Sequence, residues 1–167
     1  VRAALTPPDH IAAPARVHRP RASHRESLTR RGVATAEGRL AGRHIVHGVT
    51  AEPDYDSVPS AIYTVPALAS VGLTEAAAAE RGLEVDAKVS DMRSWRSART
   101  YAEEAAWAKV LIERSTGRVV GAHLVGHGAT ETVHALASAI EHGWTASDVR
   151  SRTYAYPTFH ADLKYLV

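Results

Sequence analysis

The sequence predicts an α+β fold in which helices cover an antiparallel β-sheet. The observations behind this prediction lie in residues 105–143. Two apolar runs rich in β-branched residues flank the polar link Arg114–Gly117, whose last residue suits the positive φ of a hairpin turn. The apolar period then becomes helical, because spacings of three and four separate Val133, Leu136, Ala137 and Ile140. Gly143 ends this helix, so a hairpin followed by an amphipathic helix forms the predicted core.

Composition limits what this core can belong to. The chain has 167 residues, of which 45% are hydrophobic, enough for one domain with an additional arm. No run approaches the roughly eighteen apolar residues of a membrane span, and no signal-peptide core is present, so we expect a cytoplasmic protein. The sequence contains no cysteine, which rules out disulfides, thiolate metal sites and cysteine nucleophiles in these residues.

The positive charge is confined to the N-terminal part of the chain. Residues 1–50 hold 9 Arg and 3 acidic residues, a net charge of +6, whereas residues 51–167 hold 11 basic and 15 acidic residues, a net charge of −4. Residues 1–26 contain four prolines and no apolar run of either period, so we predict a disordered or unrelated N-terminal lead. The alternative is an arginine arm that contacts nucleic acid or another acidic partner; we consider nucleic acid unlikely because no aromatic residues are interleaved.

Residues 27–57 predict a helix followed by an acidic, proline-containing linker. The helix carries a loose apolar stripe and ends at Gly48. Its small residues Ala34, Gly38 and Ala41 would let another helix or a cofactor approach the backbone closely.

The domain that begins at residue 58 contains further, shorter elements. They are a short extended segment at Ile62–Val65, a helix capped by Thr74 and stopped by Gly82, a half-buried strand at Leu83–Val89, a polar irregular stretch at Ser90–Glu104, a short helix capped by Thr145, and a last helix in which Phe159, Leu163 and Leu166 share a face.

Two patterns of glycine and histidine residues are candidates for a functional site. Gly126–Glu131 joins a strand to a helix, but it lacks the third glycine of a dinucleotide fingerprint and predicts a tight turn instead. Histidines crowd the central unit at positions 123, 127, 134 and 142. The last two are eight residues apart rather than three or four, so the sequence predicts no metal site. The remaining candidate is the tail, where Tyr154, Tyr156, His160 and Asp162 cluster around Pro157.

Three stretches in order carry a resemblance to a known family. They are VPSAIYTVPALASVGLTEAAAAERG, AKVLIERSTGRVVGAHLVGHGATETVHALASAIEHGWTASDV and YAYPTFHADLKYL. Together they resemble the C-terminal dimerisation domain of the pyridine nucleotide-disulfide oxidoreductases, flavoenzymes that include glutathione reductase, dihydrolipoamide dehydrogenase and mercuric reductase. The match covers residues 58–167. Upstream, GVATAEGRLAGRHIVHG resembles the helix that closes the family's FAD domain, which would place Ala34, Gly38 and Ala41 near FAD in a full-length member.

The resemblance implies that the chain is a fragment of such an enzyme. Four features of the family precede the matched part and are not in this sequence. They are the FAD-binding glycine motif, the redox-active cysteine pair, the nucleotide-binding domain and the Gly-Asp flavin motif. We therefore expect a homodimerising module that is inactive alone, with FAD and NAD(P)H as cofactors of the parent family and neither bound by this chain alone. A subunit that complements a separate FAD/NAD fragment is a further alternative.

The family's His-Pro-Thr motif maps onto the tail. Its histidine position is Tyr156, followed by Pro157-Thr158, and the register of its glutamate falls on Ala161, with Asp162 one residue later. Tyrosine can donate a proton but is a poor base at pH 7 because its ordinary pKa is about 10. A tyrosine at this place is similar to mercuric reductase. The catalytic candidates are therefore Tyr156, His160 and Asp162.

Overall fold

The computed structural model describes residues 30–48, 54–126 and 128–167. Within these ranges the helices are α1 (Arg30–His47), α2 (Glu75–Glu80), α3 (Arg96–Thr100), α4 (Ala129–Glu141), α5 (Ala146–Ser151) and α6 (Leu163–Leu166), the last preceded by a 3₁₀ turn at Phe159–Asp162. The strands are β1 (Ser60–Ile62), β2 (Leu68–Gly72), β3 (Val85–Asp91), β4 (Trp107–Glu113) and β5 (Val119–Val125). The predicted N-terminal lead and His127 lie outside the described residues.

The strands form one sheet in the order β1-β2-β5-β4-β3, with every neighbouring pair antiparallel. The predicted α+β class is thereby confirmed. The hairpin β4–β5 lies beside β3 on one side and β2 on the other, and its turn ends at Gly117, whose φ of 71° is the positive value expected from the sequence. The ladder shifts register between Leu111 and Ile112.

The inner face of the sheet carries the main core. Helix α4 packs across β2 and β5 and buries Val133, Leu136 and Ala137, the face that the helical spacing predicts. The sheet residues beneath it are small or branched, namely Ala69, Val71, Ala108, Val110, Ala122 and Leu124. Helix α4 ends at Glu141, followed by Gly143 with a φ of 64°.

Among the described residues, one part of the outer face of the sheet is closed. There Leu73 lies against Gly121, and Leu111 is completely buried beside them. Helix α2, next to β3 on this side, is capped by Thr74 as predicted, whose Oγ1 accepts a hydrogen bond from the Ala77 amide at 3.1 Å.

The rest of the outer face is largely uncovered by the part of the chain that the structure describes. A transverse row of apolar side chains crosses four strands in register, since Ile62 pairs with Leu68, Leu68 with Val125 and Val125 with Trp107. Ile62, Leu68 and Trp107 are 47%, 42% and 41% exposed.

Several predicted boundaries were wrong. The extended segment is Ser60–Ile62 rather than Ile62–Val65. Strand β2 was not predicted because Leu68–Gly72 is short and contains a single β-branched residue, Val71. Strand β3 begins two residues later than predicted. Its apolar residues face the open side of the sheet, so Val89 is 55% exposed.

The segment predicted to be irregular, Ser90–Glu104, contains α3. The predicted last helix is divided into the 3₁₀ turn and α6. The predicted cap Thr145 is confirmed: its side chain and that of Asp148 each accept a hydrogen bond from the other's backbone, a complete capping box for α5.

Candidate functional site

The candidate site is the tail that follows α5, where all three predicted catalytic residues lie. Tyr156 is 69% exposed, whereas His160 and Asp162 are half-buried in the 3₁₀ turn. Thr158 begins this turn, since its Oγ1 accepts a hydrogen bond from the Ala161 amide at 3.1 Å. The turn thus separates an exposed tyrosine from two half-buried side chains.

Helix α3 and its flanking residues hold the tail through four side-chain pairs. Trp95 meets Tyr165 edge to face at 5.8 Å, and Tyr101 stacks on Phe159 at 5.6 Å between ring centroids. The other two pairs involve the candidate residues themselves. The Arg96 guanidinium carbon lies 5.7 Å from the centroid of the Tyr156 ring. The Ser97 hydroxyl donates a hydrogen bond to Asp162 Oδ2 at 2.5 Å.

Sequence reasoning missed this part of the site. Residues 90–104 have no clean period, and their aromatic and arginine side chains had no assigned role. The reason is the length of α3, which has five residues and is too short to show a 3.6-residue period in the sequence. The unexplained cluster of Trp95, Arg96 and Tyr101 was the available signal.

Asp162 is the candidate whose electrostatics are distinctive. Burial raises the pKa of its carboxyl group, while the hydrogen bond from Ser97 and the charge of Lys164 act in the opposite direction. Asp162 and Ser97 line a cavity of about 30 Å³, with Glu103 and Thr132 also in its wall, which leaves room for a water molecule.

The tail also explains the glycines at the strand-to-helix turn. Gly126 and Gly128 have φ values of 133° and 80°, which disfavour other residues. A Cβ added to Gly128 would lie 2.7 Å from the Phe159 ring. The tight turn predicted at Gly126–Glu131 therefore provides the surface on which the tail packs.

The predicted cofactor-binding residues lie on α1, away from the tail in sequence. Ala34, Gly38 and Ala41 are exposed, and a Cβ at Gly38 would meet no atom within 4 Å in the described part of the chain. Their place near FAD stays a prediction. Among residues 30–48, 54–126 and 128–167, no three His, Asp or Glu side chains are grouped as a metal site would require, and no helix is long and apolar enough to cross a membrane.

Comparison with known proteins establishes the family. Residues 58–167 match the pyridine nucleotide-disulphide oxidoreductase dimerisation domain. This chain belongs to that family, as the resemblance implied.

The relatives differ greatly in length. Mercuric reductase of Bacillus cereus is 33% identical over 135 residues, which are 81% of this chain and 21% of that one. An uncharacterised 19.7 kDa protein in a mercuric resistance operon of Staphylococcus aureus is 31% identical over 135 residues, 81% of this chain and 75% of that protein. The chain thus spans about a fifth of the reductase but three quarters of the small protein.

A solved structure supports the same fold. LpdA of Mycobacterium tuberculosis superposes with a TM-score of 0.70 at 23% identity, covering 81% of this chain and 29% of that one. The matched family is described as a dimerisation domain, which indicates self-association.

Proposed function

We propose that this chain is a homodimerising interface module of a flavin-dependent oxidoreductase, inactive alone, which presents its tail to a partner subunit. The observation that carries the proposal is the open apolar row on the outer face of the sheet. A second copy related by a two-fold axis can cover this row with its own, because an isologous interface uses the same surface twice.

The size of the row indicates how wide this interface must be. Completely burying a large apolar side chain contributes about 1.5–3 kcal/mol, whereas association costs on the order of 4–15 kcal/mol. The exposed side chains of the row are already half-buried, namely Ile62, Leu68 and Trp107. Burying them alone would not offset the free-energy cost of association, so the interface must include neighbouring residues. Val89 on the same face and the largely exposed Tyr63 beside Ile62 are suitable contributors.

The catalytic part of the proposal concerns the tail. Tyr156 stands at the family's histidine position and is exposed, so its hydroxyl can reach a group on another subunit. It would act as a proton donor, since tyrosine is a poor base at neutral pH. The chemistry of FAD and NAD(P)H would have to come from domains other than this one, because the family's FAD-binding glycine motif and redox-active cysteine pair are not in this sequence.

Sedimentation velocity over a range of protein concentrations tests the interface. We expect the wild-type chain to be a dimer and Leu68→Lys, at the centre of the row, to be a monomer, because a charge buried in an apolar interface is strongly unfavourable. The matched control is Val46→Lys, which adds the same charge at an exposed position on α1 and should leave the dimer intact.

The same runs test the remaining parts of the proposal. Absorbance at a flavin wavelength should show that added FAD does not sediment with the protein. A Leu68→Lys dimer, or flavin that moves with the protein, would contradict the proposal.

The arginine arm lies outside the described residues, and no observation favours it or a separate FAD/NAD subunit. Association that weakens steeply with salt would favour the arm. The cytoplasmic location stays a prediction.

A further inference from the structure

We propose that a groove between α4, α5 and the segment that follows α5 binds a small organic carboxylate whose apolar body is about the size of one ring. Arg152 would bind the carboxylate, and Trp144 would hold Arg152 in place. This site goes beyond the proposed interface, because the groove lies with α4 on the covered side of the sheet, whereas the apolar row lies on the outer face. The two can therefore be tested separately.

The groove is an apolar hollow of about 270 Å³. Its floor consists of Leu136, Val149 and Leu163, which are buried side chains of the core. A cavity of about 150 Å³ can hold benzene, and pockets for drug-sized ligands begin at about 300 Å³. The groove therefore suits a ligand with one ring or one branched aliphatic chain, and it is too small for a dinucleotide.

Arg152 is the charged side chain in the wall of the groove. Its guanidinium carbon lies 3.4 Å from the centroid of the Trp144 ring, so the guanidinium is stacked on the indole. Trp144 is half-buried and packs against the core, which makes it a fixed support. A guanidinium held by its face keeps the N–H groups of its edge available, and these can bind a carboxylate through two parallel hydrogen bonds.

The other polar groups of the groove also suit an anion. Ser138 lines it with a hydroxyl that has no hydrogen-bond partner among the described residues. The Tyr154 hydroxyl donates to the Val149 carbonyl oxygen at 2.9 Å, which fixes the tyrosine ring in the wall. Burial raises the pKa of Tyr154, and the charge of Arg152 acts in the opposite direction. The positive charge of Arg152 therefore acts on the wall of the groove.

The chain itself supplies no carboxylate to this arginine. Other arginines are paired with acidic side chains, namely Arg81 with Asp56, Arg93 with Asp91, and Arg114 with Asp86. Among the described residues Arg152 forms no such ion pair, and none of the residues described in the wall is acidic.

The acidic side chain near Arg152 is occupied elsewhere. The charge of Arg152 acts on Asp148, whose Oδ2 accepts hydrogen bonds from the Thr145 amide at 2.8 Å and the Thr145 hydroxyl at 2.7 Å. These bonds cap α5. An arginine without a carboxylate thus lies beside an apolar hollow, and a ligand that carries both a carboxylate and an apolar body complements the two features.

Phenylacetate is a suitable probe, because its carboxylate is one methylene away from a single ring. It is titrated into the isotope-labelled wild-type chain, and the indole N–H signals of Trp95, Trp107 and Trp144 are followed by NMR. Trp144→Phe identifies the signal of Trp144. We expect a saturable shift of this signal at millimolar phenylacetate, while the signal of Trp107 on the outer face stays unchanged. Phenylacetamide has the same shape and no charge, so it should bind about tenfold more weakly or worse.

Arg152→Gln should weaken phenylacetate binding by about tenfold or more, because a hydrogen bond to a charged group is lost. Arg43→Gln, which removes the same charge at an exposed position of α1, is the matched control and should bind as the wild type does. The proposal is overturned if the Trp144 signal does not shift saturably, if the acid and the amide bind alike, or if Arg152→Gln binds as tightly as the wild type.

The comparison of the acid with the amide uses the wild-type chain, so it holds even if a variant fails to fold. Leu68→Lys, which should abolish the dimer, should still bind phenylacetate with the wild-type affinity. Failure of the carboxylate site is therefore distinguishable from failure of the proposed interface.

Discussion

The two faces of the sheet use similar side chains for different purposes. On the inner face, Val110 and Leu124 are covered by α4 and the C-terminal elements. On the outer face the described residues close only the part next to Leu73, and Val89 and Trp107 are partly exposed. Alternation along a strand therefore identifies which face of the strand is apolar. It does not tell whether a helix of the same chain or another chain covers that face, because this depends on the rest of the fold.

The largest effect that would sharpen this comparison is expected at Leu136 on the inner face. Leu136→Ala should reduce the free energy of unfolding by about 2–5 kcal/mol, because Leu136 is completely buried against the sheet and its truncation leaves a cavity. Urea unfolding measures the loss. His134→Ala, on the exposed side of the same helix, is the matched control and should change stability by less than about 0.5 kcal/mol. A similar loss in both variants would contradict the assignment of this face to the core.

The central unit could be predicted from sequence because its signals are local. The turn glycine at 117 and the helical spacing from Val133 to Ile140 each specify an element without reference to the rest of the chain. The tail residues Tyr156, His160 and Asp162 could be predicted from their clustering around Pro157 and then from the family motif, and the structure places them on a segment held by α3.

The rest depends on contacts that no local pattern encodes. Strand β2 is short and has one β-branched residue, so its pairing with β1 and β5 rather than its own composition identifies it as a strand. The outward direction of Val89 follows from the register in which β3 pairs with β4. Ser97 lies 65 positions before Asp162 in the chain, and neither residue alone indicates the other.

A smaller effect is expected where the outer face is closed. A Cβ at Gly121 would overlap the Leu73 carbonyl oxygen and lie 3.2 Å from Leu111 Cδ1, so Gly121→Ala should cost about 1–3 kcal/mol of folding stability through overpacking. Gly42→Ala is the control, since a Cβ there meets nothing within 4 Å and alanine is the better helix former. Thermal or urea unfolding that shows no loss for Gly121→Ala would mean that Leu73 does not close this part of the face.

The smallest effect concerns the ion pair on the closed part of the outer face. Lys109 Nζ lies 2.6 Å from Glu75 Oε1, and both side chains are about half exposed, so solvent screens their attraction. Lys109→Met should change the free energy of unfolding by less than about 1 kcal/mol, with little difference between low and high salt. Glu75→Gln, which keeps the size of the partner, should behave alike. A loss comparable to that of Gly121→Ala would instead show that charge, rather than the packing of Leu73 and Leu111, holds α2 against the sheet.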